Sequence, residues 1–132
     1  MFDIYTKLSS YVYFIDNEYL KKYCHLIQQN VRTKQIPKNT HKHHIVPKSW
    51  FKLQNKEVDN TINNLVNLKY REHILAHYYL CLCTEDPFKY ANQLALECLL
   101  SIPHKNLVDK ALVTNFPLYN NIYEEYVYKR KT

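Results

Sequence analysis

Histidine carries the most distinctive chemistry in this sequence. Five of its seven histidines fall between positions 41 and 77, and two of these, His43 and His44, are adjacent. His73 and His77 are four residues apart, so on a helix both rings lie on one face and can bind one metal ion. Imidazole nitrogens suit zinc, nickel and similar ions, and a neutral imidazole is also a general base near neutral pH. This grouping predicts a metal site, a general base, or both.

The adjacent pair is not expected to bind one ion together. Residues 43–46 have the pattern of a short strand that ends at Pro47, and adjacent strand residues point to opposite faces. One histidine of the pair therefore binds metal in this interpretation, while the other does separate work. His41 is expected to be an ordinary solvent-exposed strand residue, and His25 and His104 are expected on the surface.

The elements that must position these histidines are mainly helical. Hydrophobic periodicity predicts helices at residues 2–14, 17–30, 70–83, 88–101, 104–114 and 117–129, and short strands at 43–46 and 65–68. Asp16 or Asn17 can cap the second helix. The segment between Pro47 and Asn63 is expected to be a basic loop, in which Trp50 and Phe51 form either a small core patch or a wedge for DNA. The inward face of the 88–101 helix is predicted to consist of Phe88, Ala91, Leu94, Ala95, Cys98 and Leu99.

Composition bounds the class of protein. The chain has 132 residues, of which 46% are hydrophobic, enough for one domain with a core. None of the four cysteines stands in a C-x2-C pair, which argues against a zinc ribbon or a disulfide scaffold and fits a reducing interior.

No apolar run approaches about 18 residues and no signal peptide is visible, so we expect no membrane partner and a cytoplasmic location, inside the host cell if the protein is viral. The 13 tyrosines and the lack of glycine are typical of an A/T-rich coding genome.

Positive charge is concentrated in the middle of the sequence. The net charge is +6, but residues 21–71 carry eleven Lys or Arg against two acids, whereas residues 1–20 and 72–132 are slightly acidic. A basic belt between near-neutral flanks is typical of a protein that binds a polyanion such as nucleic acid. A solvated lysine-rich surface would give the same count, so charge alone leaves both interpretations open.

Three ordered blocks of residues contain four of the histidines. They are His43-His44-Ile45-Val46-Pro47, Asn64-Leu65-Val66-Asn67-Leu68, and Arg71-Glu72-His73 with Ala76-His77. The spacings are 20 residues from His44 to Asn64, then 9 to His73, then 4 to His77. Over about residues 19–83, this pattern resembles the HNH nucleases, most of all the small phage-type homing endonucleases. One departure is the run from Lys48 to Phe51, where many relatives have Gly-Gly; Asn55, Asn60 or Asn63 can supply the positive-φ positions instead.

The resemblance implies both a fold and a set of roles. The implied fold is a ββα-metal (His-Me finger) core at residues 41–83, inside one mainly helical α+β domain of residues 1–132 with helical flanks at 1–40 and 84–132. His43, His73 and His77 are implied as ligands of one divalent ion, which is Mg, Mn, Zn or Ni. His44 is implied as the general base that deprotonates the attacking water, and Asn64 as the residue that holds the loop. The implied catalytic residues are thus His44, Asn64 and His73.

The function implied by the resemblance is metal-dependent hydrolysis of DNA phosphodiester bonds, with a homing endonuclease as the first biological role. Arg71 is a candidate for clamping the scissile phosphate, or else a surface ion-pair partner. Contacts to the DNA backbone are expected from Lys34, Lys38, Lys48 and Lys52. One active site cuts one strand, so cutting both requires a homodimer or two visits.

Several alternatives stay open from the residues alone. A host-defence or toxin nuclease would use the same core. A non-catalytic DNA-binding module would use His73 and His77 to hold a structural metal. Separately, the pair at positions 43 and 44 could be ordinary strand residues, and Asn64 a plain turn residue.

Overall fold

A computed structural model describes residues 4–10, 14–31 and 40–101. The described chain is mainly helical with one two-stranded sheet. Its elements are α1 (Ile4–Ser9), α2 (Asn17–Val31), β1 (Thr40–His44), α3 (Lys48–Leu53), a 3-10 turn (Ile62–Asn64), β2 (Leu65–Lys69), α4 (Tyr70–Cys83) and α5 (Phe88–Ser101). The helices expected at 104–114 and 117–129 lie outside the described residues.

Strands β1 and β2 pair antiparallel, with His43 opposite Val66 and His44 opposite Leu65. The first strand begins earlier than predicted and ends at His44 instead of Val46. It ends early because the N–H of Val46 donates to the side-chain oxygen of Asn64, which takes the place of a strand partner. The expected alternation holds, since His43 is buried while His44 is only half-buried.

Helix α2 supplies one wall of the core. Its cap is Asp16, as predicted, because the carboxylate accepts the N–H groups of Glu18 and Tyr19 at 2.9 and 3.2 Å. Leu20, Tyr23 and Ile27 recur at helical spacing and are fully buried. This stripe packs on α4 and β2, which brings the phenol of Tyr23 to the inner face of the sheet.

Helix α3 corrects the prediction of a continuous basic loop between Pro47 and Asn63. Trp50 and Phe51 are almost completely buried, and the Trp50 ring lies 5.7 Å from Phe88 and 6.2 Å from Phe14. They therefore form the core patch and not an exposed wedge. Burial of these two aromatic rings holds the segment as a helix, which the lysine-rich composition had obscured. The turn after it uses a positive φ of 54° at Asn55, one of the three predicted asparagines.

Helices α4 and α5 have the predicted bounds, but the inward face of α5 differs from the prediction. Leu94 and Cys98 are exposed, whereas Asn92 is 1% exposed and lies in the buried stripe with Leu96 and Leu99. A purely apolar pattern could not place Asn92 inside, because its burial depends on a polar partner on α4. The two helices are also tied by the Tyr70 hydroxyl, which donates to the Leu99 carbonyl at 2.6 Å.

One hydrophobic core joins α1, α2, α3, β2 and α4. Cys81 and Cys83 are buried on α4, as expected of core helix residues, and all four cysteines are free. Across the described ranges, none of the helices combines the length and the apolar character that crossing a membrane requires. Helix α4 packs against both α2 and α5, and α2 also packs against β2.

Candidate metal centre and its cleft

Three imidazole rings form a nearly equilateral triangle, which we call the histidine triangle. The ring centroids of His43, His73 and His77 lie 4.9, 5.0 and 5.1 Å apart. Their candidate ligand nitrogens lie within 4.8 Å of one another, and the Nε2 atoms of His73 and His77 are 3.2 Å apart. Three imidazoles on one tetrahedral zinc, with bonds of about 2.0–2.1 Å, place their ring centres about 5 Å apart. The triangle therefore has the size that one transition-metal ion requires.

The local sequence explains why these rings meet. Helix α4 begins at Tyr70, directly after β2, so its first two turns lie against the strand that carries His43. His73 and His77 are one turn apart on that helix and face the same strand. The N–H of Lys69 donates to the Glu72 carboxylate at 3.0 Å, which fixes the start of the helix. The i,i+4 spacing thus correctly predicted a shared face, and strand alternation correctly selected His43 over His44 as the third ring.

Burial keeps the histidine triangle neutral. It lowers the pKa of His43 well below the usual value, with further lowering by the neighbouring His77, His73 and His44. Burial, His77 and His41 together lower the pKa of His73 to about 2. The pKa of His77 is also lowered by burial, although its hydrogen bond to Asn92 opposes part of that shift. Metal coordination requires neutral imidazole, so this is the protonation state that a ligand set needs.

Two rings of the triangle have a partner on one nitrogen that fixes their tautomer. The hydroxyl of Tyr23 lies 2.8 Å from His43 Nε2 and donates its own proton to the Ile45 carbonyl at 2.6 Å. It must therefore accept from His43 Nε2–H, which leaves the lone pair on Nδ1. Likewise, the Asn92 amide donates to the Phe88 carbonyl, so its oxygen accepts from His77 Nδ1–H at 3.2 Å. The lone pair of His77 is then on Nε2.

His41 belongs to this cluster, contrary to the prediction that it is solvent-exposed. It is half-buried, and its Nδ1 lies 3.1 Å from His73 Nδ1. Its ring also packs edge-on against Tyr70, with centroids 5.5 Å apart. The signal in the sequence was its i,i+2 spacing from His43, which places both on one face of a strand. Tyr23 and Asn92 had no comparable signal, because their helices are distant in sequence.

His44 faces away from the triangle and has a separate partner. Its Nε2 lies 2.7 Å from the side-chain oxygen of Asn60, to which the ring donates. In the tautomer that makes this hydrogen bond, Nδ1 carries the lone pair. A half-buried imidazole with one nitrogen held in this way and a lone pair on the other has the arrangement of a general base.

Asn64 fastens the loop that carries Asn60 to the end of β1. It is fully buried, and its side chain makes three hydrogen bonds: it accepts from Val46 N–H at 2.9 Å and donates to the carbonyls of Val46 and Asp59 at 3.2 and 2.9 Å. It does not line the cleft beside the histidines. These three hydrogen bonds join the residue-59 and residue-46 segments of the backbone through one side chain.

A cleft of about 350 Å³ opens onto the histidine triangle. All three of its rings and His44 contribute to the lining, as do the cationic side chains of Lys42, Lys48 and Lys52, while Ala91, Asn92 and Ala95 of α5 form the opposite wall. No carboxylate is among these lining residues. The charged side chains that line the cleft are therefore all positive, and the triangle and His44 border the same space.

The predicted DNA-binding residues separate into three groups. Lys48 and Lys52 are exposed and line the cleft, because α3 places them one turn apart. Arg71 is exposed in the first turn of α4 and is not among the lining residues. Lys34 and Lys38 lie outside the described residues. Lys42, which was not singled out from the sequence, lies on β1 between His41 and His43 and lines the cleft.

Comparisons with protein-family models, with curated proteins and with solved structures find no match to this chain. The resemblance to HNH nucleases thus rests on the three sequence blocks alone. The function must be inferred from the residues of this chain and from their geometry.

Proposed function

We propose that this protein is a metal-dependent endonuclease that hydrolyses phosphodiester bonds in DNA. The observation that carries this proposal is the single cleft in which the histidine triangle, the tethered imidazole of His44 and three lysines converge. A metal-binding triad, a base and a cationic rim are the groups that phosphodiester hydrolysis needs together. No one of them alone would select this function.

The donor set favours a particular class of metal ion. Three neutral imidazoles suit Zn, Ni or Co, whereas Mg prefers oxygen ligands and retains several waters. Among the four ions expected from the sequence, zinc and nickel therefore fit best. When bound, such an ion offsets the charge that develops on the phosphate and stabilises the leaving 3′-oxygen.

His44 supplies the base. The donation from Nε2 to Asn60 holds the ring in one tautomer and orientation, so Nδ1 can take the proton of a water that attacks phosphorus. The bond from that water oxygen to phosphorus forms as the bond to the 3′-oxygen breaks. Lys42, Lys48 and Lys52 bind the phosphates on either side and position the chain.

The order of elements supports the finer assignment to an HNH-type core. β1 carries His43 and His44, β2 pairs with it, and α4 follows with His73 and His77. This order is the one the ββα-metal motif would have. The role as a homing-type enzyme rests on the sequence resemblance, and a host-defence nuclease with the same core would have the same chemistry.

Nicking of supercoiled plasmid DNA tests the proposal. The purified full chain is stripped with a chelator and then given Zn, Ni, Co, Mn or Mg in turn. We expect cleavage to return with at least one of the transition metals. His44→Ala should lower the rate by roughly 10²–10⁴-fold or more while leaving metal affinity nearly intact, since this side chain is outside the triangle.

His77→Ala is the matched comparison and should lose both metal affinity and cleavage. His25→Ala, an exposed residue of α2, serves as the control and should change neither. Unchanged plasmid with every metal would contradict the proposal and would favour the DNA-binding module with a structural metal. Equal loss of metal affinity in His44→Ala would contradict the assigned roles of the two adjacent histidines.

A further inference from the structure

Each ring of the histidine triangle has a different outer partner, and no two of these partners come from the same element. Tyr23 lies on α2, His41 on β1 and Asn92 on α5. They contact His43 Nε2, His73 Nδ1 and His77 Nδ1, at 2.8, 3.1 and 3.2 Å respectively. Two of the three, Tyr23 and Asn92, are almost completely buried.

We infer that Tyr23, His41 and Asn92 are positioning residues that select which nitrogen each histidine offers to the metal. This inference requires the metal site of the proposed function, but it does not require that the protein cleaves DNA. The nitrogens so selected are Nδ1 of His43 and Nε2 of both His73 and His77. Outer hydrogen bonds of this kind set the tautomer and orientation of a metal-bound imidazole.

The assignment for His73 follows from its two contacts. Its Nε2 lies 3.2 Å from Nε2 of His77, the separation expected of two nitrogens on one ion. When both nitrogens bind metal, neither can carry a proton, so the proton of His73 must be on Nδ1. His41 Nδ1, at 3.1 Å, is then its acceptor.

The flanking helices therefore do more than cover the small sheet. Without Tyr23 on α2, the buried Nε2–H of His43 would have no acceptor from that helix, and the ring could turn to offer the other nitrogen. Without Asn92 on α5, the Nδ1–H of His77 would likewise have no acceptor from that helix, and this ring could turn. The metal site is thus completed by residues about 20 positions before and 15 positions after the triangle.

Cobalt titration of the full chain, followed by the visible absorption of bound Co(II), tests the inference without any cleavage assay. Tyr23→Phe, His41→Leu and Asn92→Ala should each weaken cobalt binding by about 10–100-fold and change the absorption band. His41→Asn and Asn92→Asp keep an acceptor oxygen near the same place and should restore most of the affinity.

Tyr70→Phe is the matched control for Tyr23→Phe. Tyr70 is also a buried tyrosine whose hydroxyl donates a 2.6 Å hydrogen bond to a carbonyl, that of Leu99, and its replacement by Phe keeps the ring that packs against His41. It should lower stability and leave cobalt affinity within about twofold. If Tyr23→Phe and Asn92→Ala lose no more affinity than Tyr70→Phe, the inference is wrong.

Long-range ¹H–¹⁵N NMR spectra of the zinc-loaded wild type give a second readout that needs no variant to fold. We expect protons on Nε2 of His43 and on Nδ1 of His73 and His77. Any other set of tautomers would overturn the inference even if the variants weaken binding. Failure of the wild type to bind cobalt or zinc would overturn the metal site itself, whereas metal binding with unaffected variants would overturn only the outer partners.

Discussion

The histidine side chains of the triangle are buried as neutral groups, and this has a consequence for stability. In the metal-free protein the pKa of His43 and His77 is lowered, and that of His73 is lowered to about 2. The unfolded chain takes up these protons below about pH 6.5, while the folded chain does not. Stability is therefore fully present above that pH and is lost progressively as the pH falls toward the folded-state values.

The measurement is urea unfolding of the metal-free protein between pH 7.5 and pH 5. The free energy of unfolding should fall by roughly 1.4 kcal/mol per pH unit below about pH 6.5 on account of His73, and the lowered pKa of His43 and His77 should steepen the fall. His73→Gln should make this dependence shallower by about one proton. A free energy that stays constant down to pH 5 in the wild type would contradict the buried, neutral state of the triangle.

Asn64 acts at the same scale, as a single side chain that satisfies buried backbone groups. Asn64→Ala leaves the Val46 N–H without its acceptor, and the loss of a partner costs about 1–3 kcal/mol for each buried group left unpaired. The neighbouring Asn63→Ala is the control, because Asn63 is exposed and should change stability by less than about 0.5 kcal/mol. Chemical denaturation compares the two; similar values would show that Asn64 does not hold the loop.

At the scale of elements, helix α3 determines where two lysines lie in the lining of the cleft. Burial of Trp50 and Phe51 turns Lys48 and Lys52 together toward the cleft. Each phosphate contact contributes about 0.9 to the slope of log affinity against log salt. Charge removal at both lysines should therefore make this slope shallower by about one to two units and weaken binding to all DNA sequences alike.

This is measured by DNA binding across a salt series, in the His44→Ala background so that the substrate is not cut. The control is Lys21→Gln with Lys22→Gln, which removes the same charge from exposed positions of α2 that do not line the cleft. If the two double variants have equal slopes, the lysines of α3 are only part of a solvated surface.

The sequence predicts some of these elements better than others, because local residue spacing determines some of them and tertiary packing determines the rest. Helices α2, α4 and α5 followed from periodicity, since their bounds are decided by local apolar spacing and by a cap such as Asp16. Helix α3 did not, because two adjacent aromatic residues in a lysine-rich run give no period, and only their packing against Phe14 and Phe88 makes the segment helical. The start of β1 at Thr40 was likewise hidden in a polar run.

The same distinction applies to the candidate site. His43, His73 and His77 could be grouped from spacing alone, because strand and helix periods are local rules. Tyr23 and Asn92 could not, since each meets its histidine only after α2 and α5 have packed on the sheet and α4. The strand rule also puts His41 on the same face as His43, but nothing in the sequence shows which face of the strand is covered.

At the scale of the whole molecule, the small sheet and α4 carry the candidate chemistry, while the helices on either side fix it in place. The basic belt of residues 21–71 includes the three lysines of the cleft, and the described parts of the flanks supply Tyr23 and Asn92. The histidine triangle is the point where all of these elements meet. Its ability to hold one ion is therefore the claim on which the rest of the account depends.

An anomalous difference map at the zinc or cobalt edge, from crystals of the full chain grown with that metal, tests this claim most directly. We expect one strong peak about 2.0–2.1 Å from a nitrogen of each of His43, His73 and His77, with His44 turned away toward Asn60. A peak bound by cysteines, or by His44, or no peak at the triangle, would contradict the account.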